Sequence, residues 1–371
     1  MKKIQPTFYL ILLLTIFSCN TNSEKKITNN SKSVIKYAKG FDIVKTGDQT
    51  NLIIKSPFPD AKEKTIYKIV SEKSSNINEI QTPLNSIVVT STTHIPVLEL
   101  LNVENKLVGF PNTNFISSKK TRDLIDKNVV KDLGHPDHIN TESLLELKPD
   151  IVMGFSVNGN TKMFSTIEKI GIPVIFNGAW LEETPLGRAE WIKLFGILFD
   201  KEKLADSVFT KIEKSYLEAK KIALNSKTKP SVICGGLYRD VWYMPAGNSF
   251  EATFLKDANT NYLWKNSSGT GSLSLNVENV FDKGQTAEFW FSPGMYKTKN
   301  DLEKSNHISS KMDAFKNNSI FSYNNTQGET GGIIYFELSP IRPDLVLKDL
   351  IKITHPDLLP NYNLTFYKKL N

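Results

Sequence analysis

Apolar residues recur at spacings of three and four through residues 201–225, KEKLADSVFTKIEKSYLEAKKIALN. Ala205, Val208, Ile212, Tyr216, Ala219 and Ala223 fall on one stripe, and the run holds no Gly or Pro. Asp200 stands in front as an N-cap, and Lys227-Thr228-Lys229-Pro230 ends the pattern. At about 1.5 Å per residue, such a helix spans roughly 35 Å. Strand-like runs flank it, Val174-Ile175-Phe176 before and Ser231-Val232-Ile233-Cys234 after. The pattern predicts a spine over 200–228 joining two α/β halves. The competing reading is an ordinary crossover helix within one sheet.

The polarity pattern divides the rest. Residues 36–83 alternate in the β manner around Phe41-Asp42-Ile43-Val44, Asn51-Leu52-Ile53-Ile54 and Thr65-Ile66-Tyr67-Lys68, which predicts an accessory segment of two or three antiparallel strands. From 84 to 199, short continuous apolar runs (Ile87-Val88-Val89, Leu107-Val108-Gly109-Phe110, Ile151-Val152-Met153, Ile172 to Phe176) alternate with helical stretches. That alternation predicts a parallel, doubly wound sheet. Residues 229–371 repeat the plan, with a strand from Val232 to Leu237 and a helix over Phe250 to Ala258. Thr141-Glu142 through Met153 echoes Leu275 through Phe291: each is a capped short helix with an early Glu, followed by an apolar strand.

Composition changes the picture little. The chain of 371 residues is 40% hydrophobic and 23% charged, which leaves room for about two domains. Its net charge of +7 comes from scattered lysines; only Arg122, Arg188, Arg239 and Arg342 are arginine. No basic patch with interleaved aromatics appears, so no nucleic-acid partner is expected. Cys19 and Cys234 are the only cysteines. Cys234 lies in an apolar run and reads as a small buried residue.

The N-terminus reads as an export signal. Met1-Lys2-Lys3 precedes the apolar stretch Phe8 to Phe17, which is shorter than the roughly 20 residues of a spanning helix. Ile16-Phe17-Ser18-Cys19 resembles a bacterial lipobox. The resemblance implies a signal peptide over 1–18, a lipidated Cys19, a flexible tether over 19–35, and an exported lipoprotein facing the periplasm. The alternative is a plain secretory signal with a chance cysteine.

A family resemblance follows from Ser143-Leu144-Leu145-Glu146-Leu147-Lys148-Pro149-Asp150-Ile151-Val152, the single long helix, the closing stretch Pro343 to Leu350, and His355-Pro356. With the lipobox, these resemble the substrate-binding lipoproteins of ABC importers that carry ferric siderophores, haem or vitamin B12. The likeness covers roughly 84–358. It implies two Rossmann-like lobes joined by one backbone helix, with a ligand in the cleft between them, here with an extra β-hairpin segment at the front. It also implies a monomer that hands a metal chelate (ferric siderophore, haem or cobalamin) to an ABC permease and is held at the membrane by its lipid. No cofactor is expected. Asn160-Thr161-Lys162 stands where an acid of the first lobe would meet the permease, so no docking residue is assigned.

In open α/β sheets ligands sit beyond the carboxyl ends of the strands. The candidate ligand residues at those ends are Thr92, His94, Asn114, Phe155, Trp180, Tyr238, Arg239, Trp242, Tyr243 and Phe336. The aromatics offer flat faces to a large chelate, and Arg239 offers a rigid fork to a carboxylate or hydroxamate oxygen. Against this stands a core role for the aromatics and an Arg239–Asp240 pair. Direct metal binding would draw on His94, His135, His138 and an acid, but Pro136 breaks any helical pairing of the last two. No G-x-S-x-G, C-x-x-C or H-E-x-x-H occurs, so the chain reads as a binder and not an enzyme.

Overall fold

The computed structural model describes residues 33–157 and 159–371; the expected signal peptide, Cys19 and most of the tether lie outside them. Four strands open the described chain. Phe41–Thr46, Gln49–Ile54 and Thr65–Val70 form an antiparallel meander, and Glu79–Gln81 adds to it in parallel. Alternate residues point inward, as a half-buried sheet requires. Phe41, Ile43, Leu52, Ile54, Tyr67 and Ile80 join one core with Trp191, Phe195, Phe209 and Ile212. The front segment is therefore a wall of the first lobe's core. Residues 36–40 reach it as a strap: Glu190 accepts the amides of Lys36, Tyr37 and Ala38, and Glu182 accepts those of Lys39 and Gly40.

The first lobe holds a five-stranded sheet in the order Val174–Phe176, Ile151–Gly154, Ile87–Val89, Leu107–Phe110, Lys131–Asp132, parallel throughout. Ile87, Val89, Ile151, Met153 and Ile175 face the core shared with the front sheet. Val88, Val152 and Val174 face the opposite way, onto Leu144, Phe164 and Ile167. A sheet covered on both faces explains the continuous apolar runs.

The long helix runs over Glu202–Ala223. Its first half packs Ala205, Phe209 and Ile212 into the first core, and its second half packs Tyr216, Ala219 and Ala223 into the second. Two expectations need correction. Phe209 is buried where Val208 was expected, because steps of four, three, four, three and four keep the stripe on a helix of 3.6 residues per turn. Asp200 is not the cap; it adopts a left-handed φ of 54° one residue before the N-cap Lys201.

The second lobe's sheet runs Asn261–Tyr262, Ser231–Cys234, Phe289–Phe291, Ile320–Ser322, Lys368–Lys369, with only the last strand antiparallel. The expected strand from Val232 to Leu237 breaks at Gly235, whose φ is +73°. A Cβ there would lie 1.8 Å from the Tyr243 carbonyl oxygen, so only glycine lets the chain leave the sheet. It enters a separate antiparallel sheet of Gly236–Tyr238, Val241–Pro245 and Ser272–Asn276. The expected echo between lobes extends to the caps: Asn140 and Asn276 each accept an amide three residues on and start a short helix that leads to a core strand.

The lobes also meet away from the long helix. Residues 328–332 of the second lobe seat on residues 114–118 of the first. Glu337 accepts the amides of Ser117 (2.7 Å) and Ser118 (2.9 Å), and Thr330 donates to the Asn114 carbonyl (2.7 Å). A Cβ at Gly332 would come within 2.7 Å of the Phe115 carbonyl oxygen, so the seat favours glycine.

Candidate functional site

Three parallel strands of the first lobe end at one cavity of about 290 Å³. Ile87–Val89 delivers Ser91 to His94, Ile151–Gly154 delivers Phe155, and Val174–Phe176 delivers Asn177 to Trp180. Tyr335 and Phe336 of the second lobe, Phe250 and Glu251 at the start of helix Phe250–Asp257, and Arg188 from helix Pro185–Glu190 close the other side.

Two more cavities continue it. An inner chamber of about 400 Å³ shares Trp180, Arg188, Phe250, Glu251 and Tyr335 with the central cavity, and reaches Cys234, Phe291, Tyr323 and Tyr367 inside the second lobe. An outer cavity, also about 400 Å³, shares Ser91, Thr92 and Phe336 and reaches Phe115 and Ile333. Together they form an aromatic trench between the lobes. Tyr323 and Tyr335 stack in its inner wall with centroids 4.0 Å apart.

The trench centre has unmet polar atoms. His94 Nδ1 and Trp180 Nε1 are buried with no hydrogen-bond partner among the described residues. A buried donor or acceptor left unpaired is costly, so such atoms mark places where another molecule supplies the partner. Burial pushes the His94 imidazole down to about 3, which keeps it neutral. Burial also pushes the Arg188 guanidinium down to about 10, still charged at neutral pH. Arg188 is aimed by its own lobe: Nη2 donates to the Trp180 carbonyl (2.7 Å), Nε to the Glu182 carbonyl (3.2 Å), and its Cζ lies 3.4 Å from the Phe250 ring centre. Burial pushes the Glu251 carboxyl up, and the charge of Arg188 opposes that rise.

A model of the periplasmic binding protein family matches residues 87–326. The chain belongs to this family. Among its relatives is an uncharacterized lipoprotein of Methanocaldococcus jannaschii, 24% identical over an alignment that covers 95% of this chain and 91% of that protein. Two solved structures share the fold. A possible iron-binding (periplasmic solute-binding) protein from Staphylococcus epidermidis matches with a TM-score of 0.58 at 17% identity, over 74% of this chain and all of that one (100%). A periplasmic heme binding protein from Pseudomonas aeruginosa matches with a TM-score of 0.57 at 17% identity, over 78% of this chain and 98% of that one.

In this binding protein Thr92, His94, Phe155, Trp180 and Phe336 converge on the central cavity, and Tyr243 lines the inner chamber. Four expected residues stand elsewhere. Trp242 is 1% exposed, stacks on Trp290 and donates to the Cys234 carbonyl, so it is core. Tyr238 and Arg239 occupy the exposed turn of the Gly235 hairpin, Tyr238 63% exposed, with the guanidinium 5.4 Å from the Tyr238 ring. Asn114 is exposed and contributes its carbonyl to the inter-lobe seat. The histidines do not gather: His135 and His138 face each other on an exposed hairpin, and among the described residues no three His, Cys, Asp or Glu side chains converge.

Sequence reasoning missed Arg188, Phe250, Glu251 and Tyr335. One signal was available. Arg188 and Glu190 interrupt the apolar run Leu186 to Trp191, and a charge on a buried helix face needs a partner. Glu190 meets the strap; Arg188 meets the trench.

Proposed function

We propose that this protein captures a metal chelate (a ferric siderophore, haem or cobalamin) in the trench and delivers it to the permease of an ABC importer. The supporting observation is the trench itself: cavities of hundreds of Å³, walled by Trp180, Phe250, Tyr323, Tyr335 and Phe336, with unpartnered polar atoms at the centre. Ligand sites commonly combine apolar walls with a few convergent polar groups. The names of the Staphylococcus and Pseudomonas proteins, iron-binding and heme binding, favour the same ligand class. Chemical turnover has no part in this role. Native mass spectrometry of protein from its own cells tests the reading, alongside calorimetric titration with ferric siderophores, haem and cobalamin. A co-purifying chelate mass is expected. A protein that carries none and binds none of the three classes would sink the idea.

The anchor belongs to the same proposal. Among the described residues no helix is long and apolar enough to cross a membrane. The relative in Methanocaldococcus jannaschii is named a lipoprotein, in keeping with a lipid on Cys19. Cys19→Ala should move the protein from the membrane fraction to the soluble one. Retention of the variant on membranes after a high-salt wash would contradict it.

A further inference from the structure

Arg188 is the trench cation whose donors are only partly used among the described residues. A guanidinium carries five N–H donors. Two are spent on the Trp180 and Glu182 carbonyls, and no acceptor within the described chain meets the other three. No acid pairs with it either. The Glu182 carboxylate is taken by the amides of Lys39 and Gly40 and by the Trp191 indole (3.0 Å). Glu251 lines the same two cavities and feels Arg188 electrostatically, yet its carboxyl makes no hydrogen bond or ion pair with any described residue. Phe250 covers the guanidinium face. The edge of a fixed, half-buried cation is thus left over at the junction of the central cavity and the inner chamber. Removing an ionised group from water is costly unless an opposite charge meets it.

We propose that Arg188 selects ligands bearing an anionic arm, a carboxylate or a phosphodiester, which enters the junction between Arg188 and Glu251. This rests on the trench being the ligand site, and it divides the chelates named above by charge. The guanidinium fork fits either oxyanion through paired N–H bonds, and its hold on two backbone carbonyls keeps it aimed before the ligand arrives. Aromatic walls carry the rest of the ligand whatever its charge. Glu251 opposes the arm, so it limits how tightly an anion is held.

Two naphthyl probes test the selectivity whatever the natural ligand is. One is 8-anilinonaphthalene-1-sulfonate, an aromatic anion; the other is N-phenyl-1-naphthylamine, the same ring system without the sulfonate. Fluorescence titration of the full chain should show the anion bound about tenfold or more tightly than the neutral probe. Arg188→Gln should abolish the preference, Arg188→Lys should keep part of it, and Glu251→Gln should enlarge it. Equal affinities in the native protein, or a preference untouched by Arg188→Gln, would overturn the proposal. If Arg188→Gln fails to fold, Glu251→Gln decides: an anion preference that is unchanged or smaller there overturns the proposal as well. Two further pairs identify the arm. Haem against its dimethyl ester isolates the carboxylates, and cyanocobalamin against dicyanocobinamide removes the phosphodiester together with its ribose and benzimidazole. If none of these four binds, porphyrins and corrins leave the proposed function, while the naphthyl result still decides the selectivity.

Discussion

In the first lobe the carboxyl ends of the parallel strands stand directly on the central cavity, at Ser91 to His94, Phe155 and Asn177 to Trp180. In the second lobe they stand one layer back. Cys234, Gly235, Phe291, Ser292 and Tyr323 follow or end its strands, and they line the inner chamber. Phe250, Glu251 and Tyr335 come between those ends and the central cavity. The same sheet plan thus gives a shallow wall on one side and a recessed, tyrosine-rich wall on the other. The Gly235 hairpin adds to the asymmetry by carrying Tyr238 and Arg239 out to solvent. Two similar sheets do not make two similar binding faces; what is laid over the strand ends decides.

Substitutions can break this comparison, the largest effect first. Trp242→Ala should destabilise the fold by about 3–5 kcal/mol by thermal or denaturant melting, as expected for a truncated core tryptophan. A loss below about 1 kcal/mol would move Trp242 back toward the trench.

Glu337 probes the joint between the two faces. Burial raises its carboxyl to about 7, against the two amide donors that favour the ionised form. Between about pH 4.5 and 7 the folded protein therefore holds a proton that the unfolded chain releases. The contribution of this group is greatest below the lower value and falls as pH rises through the upper one. The total is on the order of 3 kcal/mol. Glu337→Gln should flatten the dependence of melting on pH across that window; an unchanged slope would show that the seat does not bury the acid.

Trp180→Ala should weaken ligand capture by roughly tenfold, as loss of a stacking face implies, with a smaller change in melting than Trp242→Ala. Equal destabilisation by the two would erase the distinction between trench and core. The smallest effect is expected at Arg239→Ala, within about 0.5 kcal/mol in stability and without change in affinity. A clear loss of binding there would bring the hairpin into the site.

The first lobe was legible because a parallel sheet buried on both faces writes continuous apolar runs, and the long helix was legible because its stripe serves two cores in succession. The second lobe was harder for local reasons. Gly235 sits inside an apolar run, where a glycine reads as a strand interior; its need for a left-handed turn shows only once Tyr243 is packed against it. Trp242 looked like a partner of Tyr243, yet adjacent strand residues face opposite ways, and the one that faces inward is core. Glu251 resembles an ordinary acid in the first turn of a helix, and Tyr335 an ordinary member of an apolar stretch. Both gain meaning from the other lobe, whose approach no local pattern records.

The seat of residues 328–332 on residues 114–118 constrains how the molecule can move. The long helix fastens the two cores, Ile341 and Leu338 of the second lobe pack into the first core, and the seat adds a further fastening. Each fastening beyond the helix removes some freedom of one lobe relative to the other, so the pair is held more firmly than one helix alone would hold it. Sliding along the trench or twisting across it would strain one fastening or another. Because Gly331, Gly332 and Ile333 also border the outer cavity, the seat stands at the doorway itself. A guest that touches those residues touches the joint between the lobes as well.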